Sequence, residues 1–253
     1  MSKQQQPIAR QDAKVALVTG ASRGIGAAVA RRLASDGFTV VINYAGNERE
    51  AASLQAEIEL AGGHALIAQA DVSDSKAATR LFDAAEAAFG GVDVLVNNAG
   101  IMKLASLAET DDALIDSQIA VNLKGSLNTM REAARRLRDG GRVINLSSSV
   151  VGLYPINYAV YVATKAAVEA VTHVMSKEMR GRNITVNAVA PGPTATNLFL
   201  DGKPQSVIDQ LSKAAPLERL GLPDDIASTV AFLAGPDGAW INGQVLRANG
   251  GII

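Results

Sequence analysis

The chain has 253 residues, of which 48% are hydrophobic and 19% charged, and this composition excludes an intrinsically disordered protein. The formal net charge of -1 provides no overall positive field, so neither nucleic acid nor a membrane is an expected partner. The absence of cysteine excludes disulfides and thiol catalysis, and two histidines leave a metal site short of ligands, so no metal is expected.

The amino-terminal residues 1–12 are polar and lack the apolar stretch that a signal peptide requires, and we expect them to form a flexible arm. No apolar run reaches the roughly 18 residues that would suggest a membrane span. We therefore expect a cytoplasmic protein. Because no linker or shift in composition divides residues 13–253, they are expected to form one catalytic domain.

Short β-branched runs alternate with longer alanine-rich stretches along the rest of the chain. This alternation predicts an α/β fold of the Rossmann type, a doubly wound parallel seven-stranded sheet with helices on both faces. The first four strands are continuous apolar runs, which suits strands buried on both faces. The predicted strands span residues 14–19, 38–43, 65–69, 92–97, 141–147, 184–189 and 244–248.

The segments between the strands predict helices, with start signals at Asp74, at Thr110 and at Pro223. Residues 193–216 interrupt the regular pattern because they are rich in Pro, Gly, Asn and Thr. They are predicted to form a substrate loop or lid, with an ordinary surface insertion as the alternative. Trp240 is expected to pack in the core.

A glycine-rich turn follows the first strand and leads directly into a helix. Glycines let a backbone approach a pyrophosphate closely, and the N–H groups at a helix start form an anion site. The glycine spacing differs from the G-x-G-x-x-G fingerprint, and a tight connection without a ligand is the alternative. The predicted cofactor-binding residues of this turn are Gly20, Ser22, Arg23, Gly24, Ile25 and Gly26.

The second strand ends in Asn43-Tyr44-Ala45, where an NAD enzyme usually carries an acidic residue for the ribose 2′-hydroxyl. A carboxylate there would repel a 2′-phosphate, and Arg23 can supply a countercharge. We therefore predict NADP(H) as the cofactor, with Asn43, Tyr44 and Ala45 among its contacts. A solvent-facing Arg23 is the alternative.

Tyr161 and Lys165 stand four residues apart in a predicted helix, so their side chains share one face. An unperturbed phenol has a pKa of about 10, and an ammonium about 4 Å away can favour phenolate by up to ~4 kcal/mol at an effective dielectric of 20. The pair predicts a tyrosine that transfers a proton. By itself, this spacing is more often found in a surface pair.

Seven elements in order make residues 14–251 resemble the short-chain dehydrogenase/reductase family, particularly NADP-preferring 3-oxoacyl-[acyl-carrier-protein] reductases and related carbonyl reductases. These elements are the turn at residues 19–26, Asp71-Val72, Asn97-Asn98-Ala99-Gly100, Asn122, the serines at 147–149, Tyr161 with Lys165, and Pro191-Gly192.

The resemblance implies four catalytic residues: Asn122, Ser148, Tyr161 and Lys165. Tyr161 would be the general acid/base, Lys165 would bind the nicotinamide ribose and lower the tyrosine pKa, and Asn122 would hold a relay water. Ser148 would bind the substrate oxygen.

Ser149 is the alternative for the serine role. Counting 13 residues back from Tyr161 selects Ser148, whereas counting three back from Gly152 selects Ser149.

The resemblance also implies cofactor contacts after three later strands. Asp71 and Val72 would lie against the adenine and Asn98, Ala99 and Gly100 beside the ribose. The carboxamide contacts would be Pro191, Gly192, Thr194 and Thr196.

The predicted function is hydride transfer between NADP(H) and a carbonyl or alcohol, such as a ketone or a 3-oxoacyl compound. Substrate contacts are expected from Leu104, Leu153, Tyr154, Ile156 and residues 193–216, which favours a small or apolar carbonyl. The family commonly forms tetramers, here through helices near 110–137 and 158–180. Alternatives are a non-catalytic NADP-binding sensor or scaffold, an epimerase or dehydratase that retains its cofactor, and a sugar or polyol dehydrogenase.

Overall fold

The computed structural model describes residues 13–253, so the predicted arm at 1–12 lies outside the described residues. Within them, strands pair in the order β3-β2-β1-β4-β5-β6-β7, and every pair is parallel. This confirms the predicted seven-stranded parallel α/β fold. The strands are β1 Val15–Val18, β2 Thr39–Tyr44, β3 His64–Gln69, β4 Val92–Asn97, β5 Leu137–Leu146, β6 Thr185–Pro191 and β7 Val245–Ala248.

The α-helices connect successive strands and extend the loop after β6. Their bounds are α1 Gly24–Ser35, α2 Glu48–Leu60, α3 Ser75–Phe89, α4 Asp112–Gln118, α5 Gly125–Arg136, α6 Val150–Leu153, α7 Ala159–Glu178, α8 Asn197–Leu200, α9 Gln205–Ala214 and α10 Pro223–Ala234. A 3-10 turn spans Leu107–Glu109, and a π-helical segment at Ile119–Lys124 joins α4 to α5. None of the helices within residues 13–253 combines the length and apolarity required to cross a bilayer.

The strand side chains alternate between two hydrophobic clusters, one on each face of the sheet. On β1, Ala16 and Val18 pack with α1, α2 and α10. Val15 and Leu17 pack with α3, α5 and α7 on the opposite face. Because both faces of β1 are covered, all of its residues are buried, which explains its uninterrupted apolar sequence.

The predicted helix from 110 to 137 is divided in the structure. Asp111, rather than Thr110, caps α4, because its carboxylate accepts a hydrogen bond from the Leu114 backbone N–H at 2.7 Å. At the other end, Leu137 already belongs to β5 and pairs with Val92 across a register irregularity in β4. The start signal at Asp74 is confirmed, since its side chain accepts from the backbone N–H of Lys76 at 2.9 Å.

The expectation that Trp240 packs in the core is wrong, because its side chain is 98% exposed. Trp240 lies in a surface turn between α10 and β7. There the N–H groups of Ala239 and Ile241 donate to the carbonyls of Pro236 and Gly238, which keeps the turn compact and outside the core.

The strand order reverses between β1 and β4, which lie side by side although β2 and β3 separate them in sequence. In open parallel sheets, such a switch point leaves a crevice at the carboxyl ends of the strands, where ligands bind. The turns after β1, β4, β5 and β6 all meet at this edge, so the predicted site residues are brought together.

Candidate active site

The glycine turn after β1 is packed tightly against the end of β4. Gly20 and Gly24 have φ values of +59 and +58, which favour glycine over residues with a side chain. A Cβ at Gly26 would lie 2.4 Å from Asn98 Nδ2. The Asn98 amide in turn donates to the carbonyls of Thr19 and Gly20 at 2.9 and 3.0 Å. The turn is therefore held in one shape by its neighbour across the switch point.

A groove of about 650 Å³ runs along this turn. It contains the start of α1, whose first turn carries no acidic side chain, so the helix start presents a positive dipole end to an anion. The groove brings together most of the predicted cofactor residues, namely Gly20, Ser22, Arg23, Gly24, Ile25, Asn43, Ala45, Asp71, Val72, Asn98, Ala99, Gly100 and Thr196. Its glycine-lined wall and the backbone donors at the start of α1 fit the phosphates of a dinucleotide.

Two of the cofactor residues predicted in the glycine turn and at the end of β2 do not line this groove. Tyr44 is buried in the hydrophobic cluster with α1 and α2, because it points to that face of β2. Gly26 lies inside the turn, where its lack of a side chain permits the contact with Asn98. Neither belongs to the groove lining, so the structure does not bring the Tyr44 side chain together with the other predicted cofactor residues.

Asn43, on β2, holds the glycine turn in place through its buried side chain. Its side chain is 1% exposed, accepts from the Gly20 N–H at 3.1 Å and donates to the carbonyls of Ala68 and Ala70 at 3.2 and 3.0 Å. A carboxylate could accept from Gly20 but could not donate to the two carbonyls. The amide therefore joins β2 and β3 to the glycine turn, a role that the sequence analysis did not predict.

A second cavity, of about 210 Å³, adjoins the groove and is lined by Ser148, Tyr161 and Lys165. Tyr161 and Lys165 lie on consecutive turns of α7, as their spacing predicted. Lys165 Nζ donates to the Leu146 carbonyl at 2.7 Å and lies 5.7 Å from the centroid of the Tyr161 ring. The ammonium therefore faces the end of β5 and the phenol ring.

Burial dominates the electrostatics of this pair. It raises the pKa of Tyr161 to about 12, although a hydrogen bond from the Ser148 hydroxyl acts in the opposite direction. It also lowers the pKa of Lys165 to about 8. Desolvation is the largest influence on the tyrosine pKa in this structure, and the lowering by Lys165 that the resemblance implies stays a prediction. At neutral pH the phenol is protonated and can act as a proton donor.

The three consecutive serines have different partners. Ser147 Oγ donates to Glu169 Oε1 at 2.6 Å, and Ser149 Oγ donates to the Ala190 carbonyl at 3.1 Å while accepting from Asn249 Nδ2. Both of these serines are buried. Ser148 is half-buried, its Oγ accepts from the Val150 N–H at 3.4 Å, and it lines the same cavity as Tyr161. This geometry favours Ser148 over Ser149 as the serine beside the reacting oxygen.

Asn122 lies in the π-helical segment and is fully buried. Its Oδ1 accepts from the Ile101 N–H at 2.8 Å, and its Nδ2 donates to the Ile101 carbonyl at 2.9 Å and to Thr164 Oγ1 at 3.3 Å. The side chain thus links the loop after β4 to α7. A Cβ at Gly100 would lie 3.3 Å from Asn122 Oδ1 and 3.7 Å from Lys165 Nζ, so these groups are neighbours. The relay water remains a prediction.

A buried polar network beneath the site was missed by the sequence analysis. Asn97 Nδ2 donates to Asn145 Oδ1 at 2.8 Å, Thr129 Oγ1 donates to Asn97 Oδ1 at 2.5 Å, and Asn145 Nδ2 donates to Thr172 Oγ1 at 2.9 Å. These four side chains connect β4, β5, α5 and α7. One sequence feature could have indicated this network, because an asparagine lies near the end of each of two apolar strands, β4 and β5.

The rest of the cavity wall is mostly apolar. Leu153 lines it as expected, whereas Leu104, Tyr154 and Ile156 are exposed and the structure places them outside its lining. The wall includes apolar residues that were not predicted individually, namely Met102, Pro155, Leu198, Phe199, Leu211 and Ile252. The carboxamide candidates Pro191, Gly192, Thr194 and Thr196 also line this cavity.

Comparison with known proteins agrees with this geometry. The family model described as "Enoyl-(Acyl carrier protein) reductase" matches residues 20–253. A short-chain type dehydrogenase/reductase of Picea abies is 44% identical over 248 residues, which cover 94% of this chain and 92% of the relative. An NADPH-dependent aldehyde reductase-like protein, chloroplastic, of Arabidopsis thaliana is 41% identical, with 95% of this chain and 94% of the relative covered.

The structural comparison leads to the same family. A short chain dehydrogenase from Burkholderia cenocepacia J2315, in complex with NADP, superposes with a TM-score of 0.90 at 39% identity. The match covers 94% of this chain and 97% of that chain. The chain belongs to the short-chain dehydrogenase/reductase family. It is therefore an oxidoreductase, and both the family and the enzyme class predicted from the sequence motifs are confirmed.

Proposed function

We propose that this protein reduces a small apolar aldehyde or ketone with NADPH, and that Tyr161 supplies the proton. The observation that carries the proposal is the placement of Tyr161, Ser148 and Lys165 in one mostly apolar cavity beside the groove that collects the predicted cofactor residues. The name of the Arabidopsis relative supports an aldehyde substrate.

The chain's own residues can hold the cofactor in the groove. Arg23 is exposed on the groove wall, where it can pair with a 2′-phosphate, and Asp71 and Val72 line the same groove and are proposed to contact the adenine. The NADP in the Burkholderia structure and the NADPH-dependent name of the Arabidopsis protein support NADP(H). When bound, NADPH supplies the hydride for the carbonyl carbon.

The proton has a direct route to the carbonyl oxygen. The Ser148 hydroxyl orients that oxygen, and the Tyr161 phenol transfers its proton to it as the new C–H bond forms on the carbon. The phenolate left behind is stabilised by Lys165, whose pKa of about 8 keeps it mostly charged at neutral pH. Alcohol oxidation would run the same transfer backwards and would need the phenolate at the start.

The raised pKa of Tyr161 therefore favours the reductive direction over oxidation of a sugar or polyol.

The sensor and epimerase alternatives differ in what they predict for NADPH. A sensor binds it without turnover, and an epimerase or dehydratase causes no net consumption.

Residues 193–216 are proposed to act as the substrate lid. They contain α8 and α9 and contribute Pro193, Leu198, Phe199 and Leu211 to the cavity wall. The tetramer and the cytoplasmic location remain predictions, and the chloroplastic name of the relative applies to that protein.

A panel of aldehydes and ketones, followed at the NADPH absorbance band, tests the proposed reaction. Tyr161→Phe is expected to lower kcat by at least ~10²-fold, the usual scale for a lost acid/base, while NADPH binding stays near normal. Tyr154→Phe is the matched control, because Tyr154 is 69% exposed and outside the cavity lining. Wild-type turnover by Tyr161→Phe, or NADPH binding without turnover across the panel, would contradict the proposal.

A further inference from the structure

The last five residues fold back over the serine loop. Asn249, directly after β7, holds this turn, since its Nδ2 donates to Ser149 Oγ at 3.1 Å and to the Ile253 carbonyl at 3.3 Å. Its Oδ1 accepts from the Gly251 N–H at 3.0 Å. The Asn249 backbone is equally constrained, because a Cβ at Gly192 would lie 2.8 Å from its Cα.

The same turn contacts the segment that follows α9. Gly250 and Gly251 have φ values of +66 and +86. A Cβ at Gly250 would lie 3.2 Å from Ala215 Cβ, and one at Gly251 would lie 3.3 Å from Pro216 Cγ. The Leu217 N–H donates to the Gly250 carbonyl at 3.3 Å. The turn is thus fixed between the end of the proposed lid and the serine loop.

This anchoring directs Ile252 to the cavity. The neighbouring Ile253 packs on Gly152, where a Cβ would lie 2.4 Å from Ile253 Cδ1. Ile252 is half-buried and lines the cavity together with Ser148 and Tyr161. Its side chain therefore occupies space that a substrate attached to the reacting carbonyl would share.

The charge of the cavity restricts the substrate further. Of the described residues, those that line the cavity include no acidic side chain and one cationic side chain, Lys165. Its Nζ is already bonded to the Leu146 carbonyl. A substrate carboxylate or phosphate would meet a mostly apolar wall in which Lys165 is the one cationic side chain among the described residues, so much of its hydration would be lost.

We propose that Ile252 is a specificity-determining residue, which sets the length of the uncharged apolar carbonyl compound that the cavity accepts. This inference rests on the proposed function and names the substrate class of the same site. Single methylene groups in apolar pockets change specificity by 10–200-fold in other enzymes, so the loss or gain of several carbon atoms at one wall position has a measurable effect.

The test compares kcat/KM for straight-chain aldehydes from propanal to decanal in Ile252→Ala and Ile252→Phe. Ile252→Ala is expected to raise the decanal/propanal ratio by about tenfold or more, and Ile252→Phe to lower it by a similar factor. Leu60→Ala is the matched control, because Leu60 is 91% exposed at the end of α2. The charged succinic semialdehyde is expected to be at least about tenfold poorer than butanal, because its carboxylate would lose hydration against a mostly apolar wall.

Calorimetric titration with the corresponding primary amides measures chain-length preference without turnover. Opposite shifts of amide affinity in the two variants, together with no reduction of any aldehyde by wild type, would reject the proposed function and keep the role of Ile252. Unchanged chain-length ratios in both assays would overturn the inference. The role of Ile252 would also be overturned if both variants lost kcat/KM equally for all chain lengths. It would likewise be overturned if the wild type bound no amide.

Discussion

The charge of Lys165 should control the pH dependence of carbonyl reduction. Burial lowers the pKa of Lys165 to about 8, so its charged fraction falls from about nine tenths at pH 7 to about one tenth at pH 9. Because the ammonium stabilises the phenolate that forms at Tyr161, kcat/KM should fall about tenfold over these two pH units. Tyr161, with its pKa raised to about 12, does not titrate in this range.

Initial rates of NADPH oxidation, measured from about pH 6.5 to 9.5 at constant ionic strength, give this profile. Lys165→Met removes the charge at every pH, and its rate should be low and independent of pH. A flat wild-type profile between about pH 7 and 9 would refute the reasoning, and so would the wild-type inflection in Lys165→Met.

The titration of Lys165 does not lower kcat/KM at high pH by unfolding the protein. Its pKa is about 8 in the folded chain against 10.5 as the ordinary value, so between these two pH values the unfolded chain binds more protons. The contribution of Lys165 to the free energy of unfolding therefore rises with pH across this window, while the predicted activity falls. A thermal melt at each pH separates the two effects.

Three further predictions concern the groove and the network beneath it. Gly26→Ala should weaken NADPH binding about tenfold or more, measured by fluorescence titration, because its Cβ would lie 2.4 Å from an amide nitrogen. Gly181→Ala is the control, because it strains a residue with a φ of +88 that lies outside the groove, and it should bind NADPH normally. Equal losses of NADPH affinity in the two variants would contradict the role of Gly26. Asn145→Ala should lower the free energy of unfolding in urea by about 1–3 kcal/mol, since it leaves buried polar partners unpaired; an unchanged value would contradict this. Arg23→Ala should weaken NADPH more than NADH, and equal losses would show that this side chain does not bind the 2′-phosphate.

The apolar runs made most of the sheet predictable. The bounds of β4 are the same in the sequence analysis and in the structure, because Val92–Asn97 is an apolar run directly after two glycines. The start of β5 was not predictable, because Arg138, Asp139 and two glycines have little strand preference. Pairing with β4 overrides that local preference.

The site was predictable as a set of residues but not as an electrostatic environment. The spacing of Tyr161 and Lys165 places them on one helical face, yet the pKa of each depends on burial by distant elements. Ile252 was missed for a related reason, since the sequence does not show which cavity a terminal turn reaches. The opposite error occurred at Trp240, which was expected in the core but is exposed. The sequence does not show that its turn lies on the surface, away from any packing partner.

The position of Asn122 depends on the number of residues in the π-helical segment. The Gly125 N–H donates to the Ala120 carbonyl, a wider turn than in an α-helix, and Asn122 lies inside it. The wide turn holds one residue more than an α-turn, so deleting one residue between 119 and 124 would restore regular winding and leave the later side chains of α5 nearly in phase. The deletion would remove the widening around Asn122, and its amide would lose its bonds to Ile101. Residue number, as well as residue identity, is thus a structural requirement in this segment.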